Sequence, residues 1–317
     1  MTGDEAIYSH EPVLLEEVID NLSIRQGGVY LDGTIGWGGH SLQILKRCLD
    51  TRIIGLDRDS KTLKATAGRL AEFGDRVSLF NSDFRLMGEV LDRIGMELVD
   101  GILLDLGISS VQLEDPVRGF SFSKEGPLDM RMDMRSAITA HEIVNTWSQK
   151  DLADLFFNYG EEKRSRAIAA AIVRQREKAP LVTTRQLAEL ICSVPGMRRV
   201  INIHPATRTF QALRIEVNDE LNTLKQAIPL AVERLVEEGR LVIISFHSLE
   251  DRIVKRSFRE LQNPCQCPRE FPECRCGKVG AGRVLTKRPV TPREGEIRNN
   301  PRSRSARLRV FEKRSER

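Results

Sequence analysis

Residues 29–41 read Val29-Tyr30-Leu31-Asp32-Gly33-Thr34-Ile35-Gly36-Trp37-Gly38-Gly39-His40-Ser41: an apolar run closed by an acid, then a glycine-rich stretch, then the start of an amphipathic one. That order predicts a strand, a tight loop and a helix. Glycines let the backbone approach a ligand closely, and the helix start offers unpaired N–H groups. A dinucleotide-binding loop would read G-x-G-x-x-G, but counted from Gly36 the last position is Ser41. An acid followed by spaced glycines instead suits a cofactor that ends in an amino acid rather than a pyrophosphate. Asp32, Gly36 and Gly38 follow that pattern, with Thr34 where the first glycine is usual; a purely structural turn is the alternative.

Outward from this loop, short apolar runs alternate with amphipathic stretches. Val29–Asp32, Arg52–Asp57, Val77–Asn81 and Val99–Asp105 read as strands, and residues 41–48, 60–72 and 85–94 as helices. This is the rhythm of a parallel sheet with crossover helices. Three of the strands end in Asp, which sets carboxylates along the C-terminal sheet edge, where open α/β sheets bind ligands. After Asp105 the rhythm changes. Residues 106–135 are punctuated by Gly, Pro and Ser, and from Thr139 to about Leu224 the periodicity is helical. Strand-like runs return at 240–246, 283–290 and 306–311, with a helix at 249–261 between the first two. The expected fold is a Rossmann-like α/β sheet with an inserted helical domain: residues 1–112, a helical insertion at 113–215 that is the candidate substrate-recognition domain, and residues 216–317 completing the sheet.

Asp57 lies 21 residues after Gly36, the spacing at which an acid accepts the hydroxyls of an adenosine ribose. In Ser82-Asp83-Phe84 the acid could receive an adenine amino group and the ring cover its face, or Phe84 could be core. Asp105-Leu106-Gly107-Ile108-Ser109-Ser110-Val111-Gln112 follows the fourth strand, where this fold brings cofactor and substrate together. Enzymes that methylate an exocyclic amine commonly carry there an Asn or Asp, two prolines and an aromatic; only the acid is present. Asp105 is the candidate catalytic residue, accepting an amine hydrogen, or else it orients the cofactor or caps the loop. Thr207, Gln211, Arg214 and Asn218 share one face of a helix beginning near His204, whose stripe Phe210, Leu213, Val217, Leu221 and Leu224 is apolar. With Arg208 beside it, that polar face could hold RNA or be solvated. In Ser245-Phe246-His247-Ser248-Leu249-Glu250-Asp251, Ser248 with Asp251 fits a capping box, which leaves His247 as a substrate contact or a structural histidine. Cys265-x-Cys267 and Cys274-x-Cys276 could close a zinc site, although one intervening residue is fewer than usual; reduced surface thiols are the alternative. Cys48 and Cys192 read as buried.

The 317 residues carry a net charge of +4, unevenly spread: residues 278–317 hold 13 Lys or Arg against four Glu. A basic segment on a slightly acidic body suggests a polyanionic partner, the alternative being a solvated tail. The chain shows no apolar run long enough for a membrane span and no apolar leader at Met1–His10, so a cytosolic protein with reduced cysteines is expected.

Asp32-Gly33-Thr34 with Gly36, Gly38, Gly39 and His40, Leu104-Asp105-Leu106-Gly107, Arg118-Gly119-Phe120-Ser121-Phe122, Gly126 to Asp133, His204 to Ile215 and Ser245 to Asp251 together resemble the bacterial ribosomal RNA small subunit methyltransferase H family, over about His10 to Arg309. The resemblance implies methyl transfer from S-adenosyl-L-methionine to N4 of a cytidine in the decoding region of 16S rRNA, with the small ribosomal subunit as substrate. It further implies that Gly38, Gly39, His40, Asp57, Phe84, Asp105 and Gln112 line the cofactor pocket. Arg208, Gln211, Arg214 and His247 are the candidate substrate contacts. The cysteine loop is outside the family's pattern. Two other classes compete: a nicotinamide-dependent dehydrogenase, disfavoured by Ser41 and the Arg-rich end, and a ribosome assembly factor that keeps the fold without catalysis.

Overall fold

A computed structural model describes residues 12–197, 204–268 and 275–314. Helix α1 (Leu15–Leu22) leads into β1 (Val29–Asp32), α2 (Gly39–Arg47), β2 (Arg52–Asp57), α3 (Ser60–Arg69), β3 (Val77–Asn81), α4 (Met87–Arg93) and β4 (Val99–Asp105). The four strands coincide with the apolar runs expected from the sequence. Helix α2 starts two residues earlier than expected, while α3 and α4 are shorter, because α3 gives way to a 3-10 segment at Ala71–Arg76 and another precedes α4 at Phe84–Leu86.

A second compact unit, Ile108–Glu220, then intervenes, against the 113–215 expected. It contains α5 (Ser110–Glu114), α6 (Ala140–Thr146), α7 (Gln149–Gly160), α8 (Ser165–Arg176), α9 (Thr184–Ser193) and α10 (Thr207–Val217). Its own core gathers Ile143, Phe156, Ile168, Ile172, Leu187 and Phe210. The first unit resumes at Leu221, within α11 (Glu220–Glu233), and continues through β5 (Leu235–Ser245), α12 (Ser248–Gln262), β6 (Gly282–Val284), α13 (Glu294–Asn299) and β7 (Arg307–Lys313). The single apolar stripe expected to run on to Leu224 is therefore broken. Asn218 spends its amide on Met132 N (2.7 Å) and Met130 O (2.8 Å), Asp219 turns left-handed at φ 50°, and Leu224 packs in the core of the sheet instead.

The sheet has seven strands in the order β3-β2-β1-β4-β5-β7-β6. All neighbours from β3 to β5 are parallel, and β7 runs antiparallel between β5 and β6. Side chains alternate across it. Leu31, Ile54, Leu104 and Ile243 pack with α4, α11 and α12 on one face, while Tyr30, Ile53, Leu103 and Val242 pack with α1, α2 and α3 on the other. β5 begins earlier than expected because its pairing with β4 slips from Val99↔Leu235 to Gly101↔Arg240 around a left-handed Glu238. The expected strand 283–290 shrinks to β6 and one bridge from Val290 to Leu308. The basic C-terminal run is no solvated tail over Arg307–Lys313: Leu308, Val310 and Phe311 are core, and Arg309 is buried on the Asp251 carboxylate. Among the described residues no helix is long and apolar enough to cross a membrane.

Candidate functional site

The order of strands reverses between β1 and β4, and the three Asp-terminated strands β1, β2 and β4 meet at that switch point. Each carboxylate has a different task. Asp32, 3% exposed, accepts the Ser41 hydroxyl at 2.7 Å and Thr34 N at 3.3 Å, which ties both ends of the glycine loop to β1. Burial pushes its pKa up to about 6, against the pull of the Ser41 bond. Thr34, which stood where a glycine was expected, has its own work: its Oγ1 accepts Asp105 N at 2.6 Å and so fixes the end of β4.

Two of the loop glycines are required by geometry. Gly38 sits at φ 71° with its missing Cβ aimed at Thr66 of α3 and Leu70 just after it, and a Cβ on Gly39 would lie 2.6 Å from Pro12 Cγ. Their consequence for a ligand is indirect: α2 starts at the loop with no side-chain cap, so the amides of its first turn face an incoming anion.

Asp57 ends β2 half-buried, accepting Gly36 N at Oδ2 (3.0 Å) and Asp59 N at Oδ1 (2.8 Å). Each oxygen keeps a second lone pair. Burial is the main cause that lifts its pKa to about 6. Asp105 lies across the switch point with Oδ2 3.5 Å from His40 Nε2, too poorly placed for a hydrogen bond. Both ring nitrogens of His40, a buried residue, and Asp105 Oδ1 are buried without a hydrogen-bond partner. Buried polar atoms are normally satisfied, so such a group beside an open helix end marks where a polar ligand belongs.

Several sequence candidates have other duties. Asp83 caps the 3-10 turn through Arg85 N and pairs with Arg58 at 3.1 Å, and Phe84 packs in the core under the sheet. Gln112, in the second unit, closes a capping box with Ser109. On α10, Arg208 and Gln211 donate to the carbonyls of Glu161 and Tyr159, and Arg214 forms a two-pronged pair with Glu220 at 2.8 Å. This polar face is spent largely on the insertion itself. His247 is the N-cap of α12: its Nδ1 accepts Glu250 N, and Glu250 accepts Phe246 N and His247 N. The capping box is thus His247 with Glu250, not Ser248 with Asp251, because Asp251 is claimed by Arg307 and Arg309. Cys48 is partly exposed and Cys192 exposed, not buried as expected.

Two features were missed. Arg118, buried, donates to the carbonyls of Arg131 and Met132, and Met130 takes the left-handed conformation at φ 65°. Their signal was the dense Asp129-Met130-Arg131 string, in which burial alone would raise the Asp129 pKa but hydrogen bonds from Arg131 hold it low. The insertion also has an open recess of about 590 Å³ beside Trp147 and Tyr159. Asp151, Asp154 and Glu216 make that recess acidic and unsuited to phosphates.

The chemistry of the donor set fits S-adenosylmethionine: amides at the start of α2 for its carboxylate, spare lone pairs on Asp57 for its ribose hydroxyls, and unsatisfied His40 and Asp105 beside them. A sheet of this order with an antiparallel β7, a glycine loop after β1 and an acid closing β2 define a Rossmann-like class I methyltransferase that uses S-adenosylmethionine. The model of the MraW methylase family matches residues 7–314, and the chain belongs to that family. It is 52% identical to a protein of Carboxydothermus hydrogenoformans named ribosomal RNA small subunit methyltransferase H, over 96% of this chain and 98% of that one. A protein of the same name from Geotalea uraniireducens is 50% identical over 96% of this chain and 99% of its own.

Proposed function

We propose that this methyltransferase transfers a methyl group from S-adenosylmethionine to N4 of a cytidine in the decoding region of 16S rRNA, acting in the cytoplasm on the small ribosomal subunit. Near-full-length similarity to relatives named for that subunit supports the substrate. The observation that carries the chemistry is the unsatisfied Asp105 carboxylate at the end of β4, beside buried His40 and across from Asp57.

Bound S-adenosylmethionine supplies a methyl made electrophilic by its sulfonium. The chain's own residues do the rest. The first-turn amides of α2 and the Asp57 carboxylate hold the two ends of the donor, and Asp32 keeps the intervening loop closed. A cytosine amino nitrogen shares its lone pair with the ring and is a poor nucleophile, so it must be held in line with the methyl. Asp105 Oδ1 accepts one N4 hydrogen, and its charge stabilises the positive charge that passes to the base as the C–N bond forms. The same oxygen takes the proton that the amine then sheds. Thr34 positions Asp105 through its backbone. Gly38, Gly39, His40 and Phe84 complete the cofactor pocket in this reading. A base can be offered this way only outside a helix. The helical insertion recognises the surrounding RNA with Arg208, Gln211 and Arg214, and the cap residue His247 is a substrate contact of the first unit.

The test is methyl transfer from labelled S-adenosylmethionine into isolated small subunits, with the nucleoside identified by mass. N4-methylated cytidine is expected, made more slowly on bare 16S rRNA. Label at another base, or on a ring carbon, would overturn the proposal.

A further inference from the structure

The cysteines that follow α12 are outside the groups proposed above to carry methyl transfer. The chain from residue 263 to residue 281 has no regular secondary structure among its described residues, and none of those is buried. A connection of this length is uncommon unless it carries a function. Both ends of this one are fastened: Ala281 N donates to Leu261 O at 2.8 Å, and Val284 N to Gln262 Oε1 at 2.7 Å. Between those ends, the sulfur atoms of Cys265, Cys267 and Cys276 lie within 4.8 Å of one another.

Among the described residues no apolar core holds these thiols together, and three ionised thiols would repel. Zn²⁺ removes the difficulty: with Zn–S bonds of about 2.3 Å, tetrahedral thiolates sit roughly 3.8 Å apart, inside the spacing seen here. The surroundings suit thiolates. Arg275 N donates to Cys267 Sγ at 3.3 Å, the kind of outer contact that stabilises a metal-bound sulfur, and Arg275 and Lys278 add positive charge to the loop. Lys278 is held at the loop's other limb by Gln266 Oε1 at 2.8 Å. The partial exposure of the sulfurs leaves a path for the metal.

We propose that Cys265, Cys267 and Cys276 bind one Zn²⁺ as thiolates, a structural site that closes the loop between α12 and β6. Metal binding here supplies the order that a core supplies elsewhere, each thiol releasing its proton to solvent on coordination. Cys274, the remaining cysteine of the sequence pattern, lies outside the described residues.

The full-length protein, purified without added metal, should hold about one zinc per chain by elemental mass spectrometry, released by a thiol-reactive mercurial. Exchange for Co²⁺ should give sulfur-to-cobalt charge-transfer absorption in the near ultraviolet. Cys267→Ser and Cys276→Ser should each weaken Zn²⁺ binding at least tenfold, while S-adenosylmethionine affinity and the far-ultraviolet circular dichroism of the variants show that they are folded. Three results would each overturn the site: no retained zinc with all thiols equally reactive, unchanged zinc in the folded variants, or iron with visible absorption in place of zinc.

Discussion

Replacing Asp57 tests the cofactor site most directly, because its contacts allow the effect to be sized. Each carboxylate oxygen already accepts one backbone amide, Gly36 N or Asp59 N, and keeps one lone pair for a ribose hydroxyl. Hydrogen bonds to a charged group contribute about 1.5–3 kcal/mol each. Asp57→Ala removes two, and because Asp57 is only half-buried the lower bound applies, about 3 kcal/mol or roughly 100-fold in Kd. Asp57→Asn keeps one acceptor and loses the charge, so about tenfold is expected.

The raised pKa of Asp57, about 6, adds a pH signature whose sign is fixed. The hydroxyls need the carboxylate, so affinity is full above that pKa and falls about tenfold per unit as pH drops below it, with proton release on binding near pH 6. Titration calorimetry between about pH 5 and pH 8, in buffers of different ionisation heat, reads both. Asp32 also titrates at about 6, so the assignment needs the variant: Asp57→Asn should flatten the slope. An unchanged affinity in Asp57→Ala, or a pH profile identical in Asp57→Asn and the parent, would refute this reasoning.

For Asp105→Ala, single-turnover methylation at saturating cofactor should slow by on the order of 100-fold or more; a normal rate once cofactor is raised would assign Asp105 to binding alone. Asp251→Ala should cost about 3–5 kcal/mol in urea denaturation by stranding buried Arg309 without its counter-ion, and a loss below about 1 kcal/mol would contradict the pair. Replacing the exposed Arg288, Arg298 and Arg304 together by Gln should weaken binding to small subunits and reduce the slope of log K against log salt by about 2, whereas an unaltered slope would leave them as ordinary solvated surface.

The parallel strands were legible because each is a short apolar run closed by a polar residue, and a fully covered parallel sheet leaves no other pattern available. Helix α1 was not. Its N-cap is a left-handed Leu14 with no side-chain cap, and Leu14 N is held by Glu296, 282 residues further on. No local signal could have shown that start. The C-terminal run was ambiguous for a related reason. Its arginines read as a solvated polybasic segment, yet Arg309 points inward because Asp251 on α12 neutralises it, with burial opposing and the two arginines holding the Asp251 carboxyl below its usual range.

The same physics separates what was readable in the site from what was not. Asp57 could be located by spacing alone, since the length of a strand-loop-helix-strand unit fixes where the second strand ends. The partners of a polar side chain are set by whatever the fold brings opposite. Asp83 follows β3 as an adenine-binding acid would, but Arg58, one residue past the end of β2, reaches it first, and an acid held by a guanidinium has less to offer an amino group. The face of α10 reads as an RNA surface or as solvated, yet it meets the carbonyl ends of α7 and the carboxylate of Glu220. Thr34 errs the other way: as a missing glycine it looked like a weakened loop, whereas its hydroxyl carries the bond that fixes Asp105. Removing that hydroxyl, and with it only the hold on β4, would therefore disturb Asp105 while leaving in place Asp57 and the first-turn amides of α2, the groups proposed to hold the two ends of the cofactor.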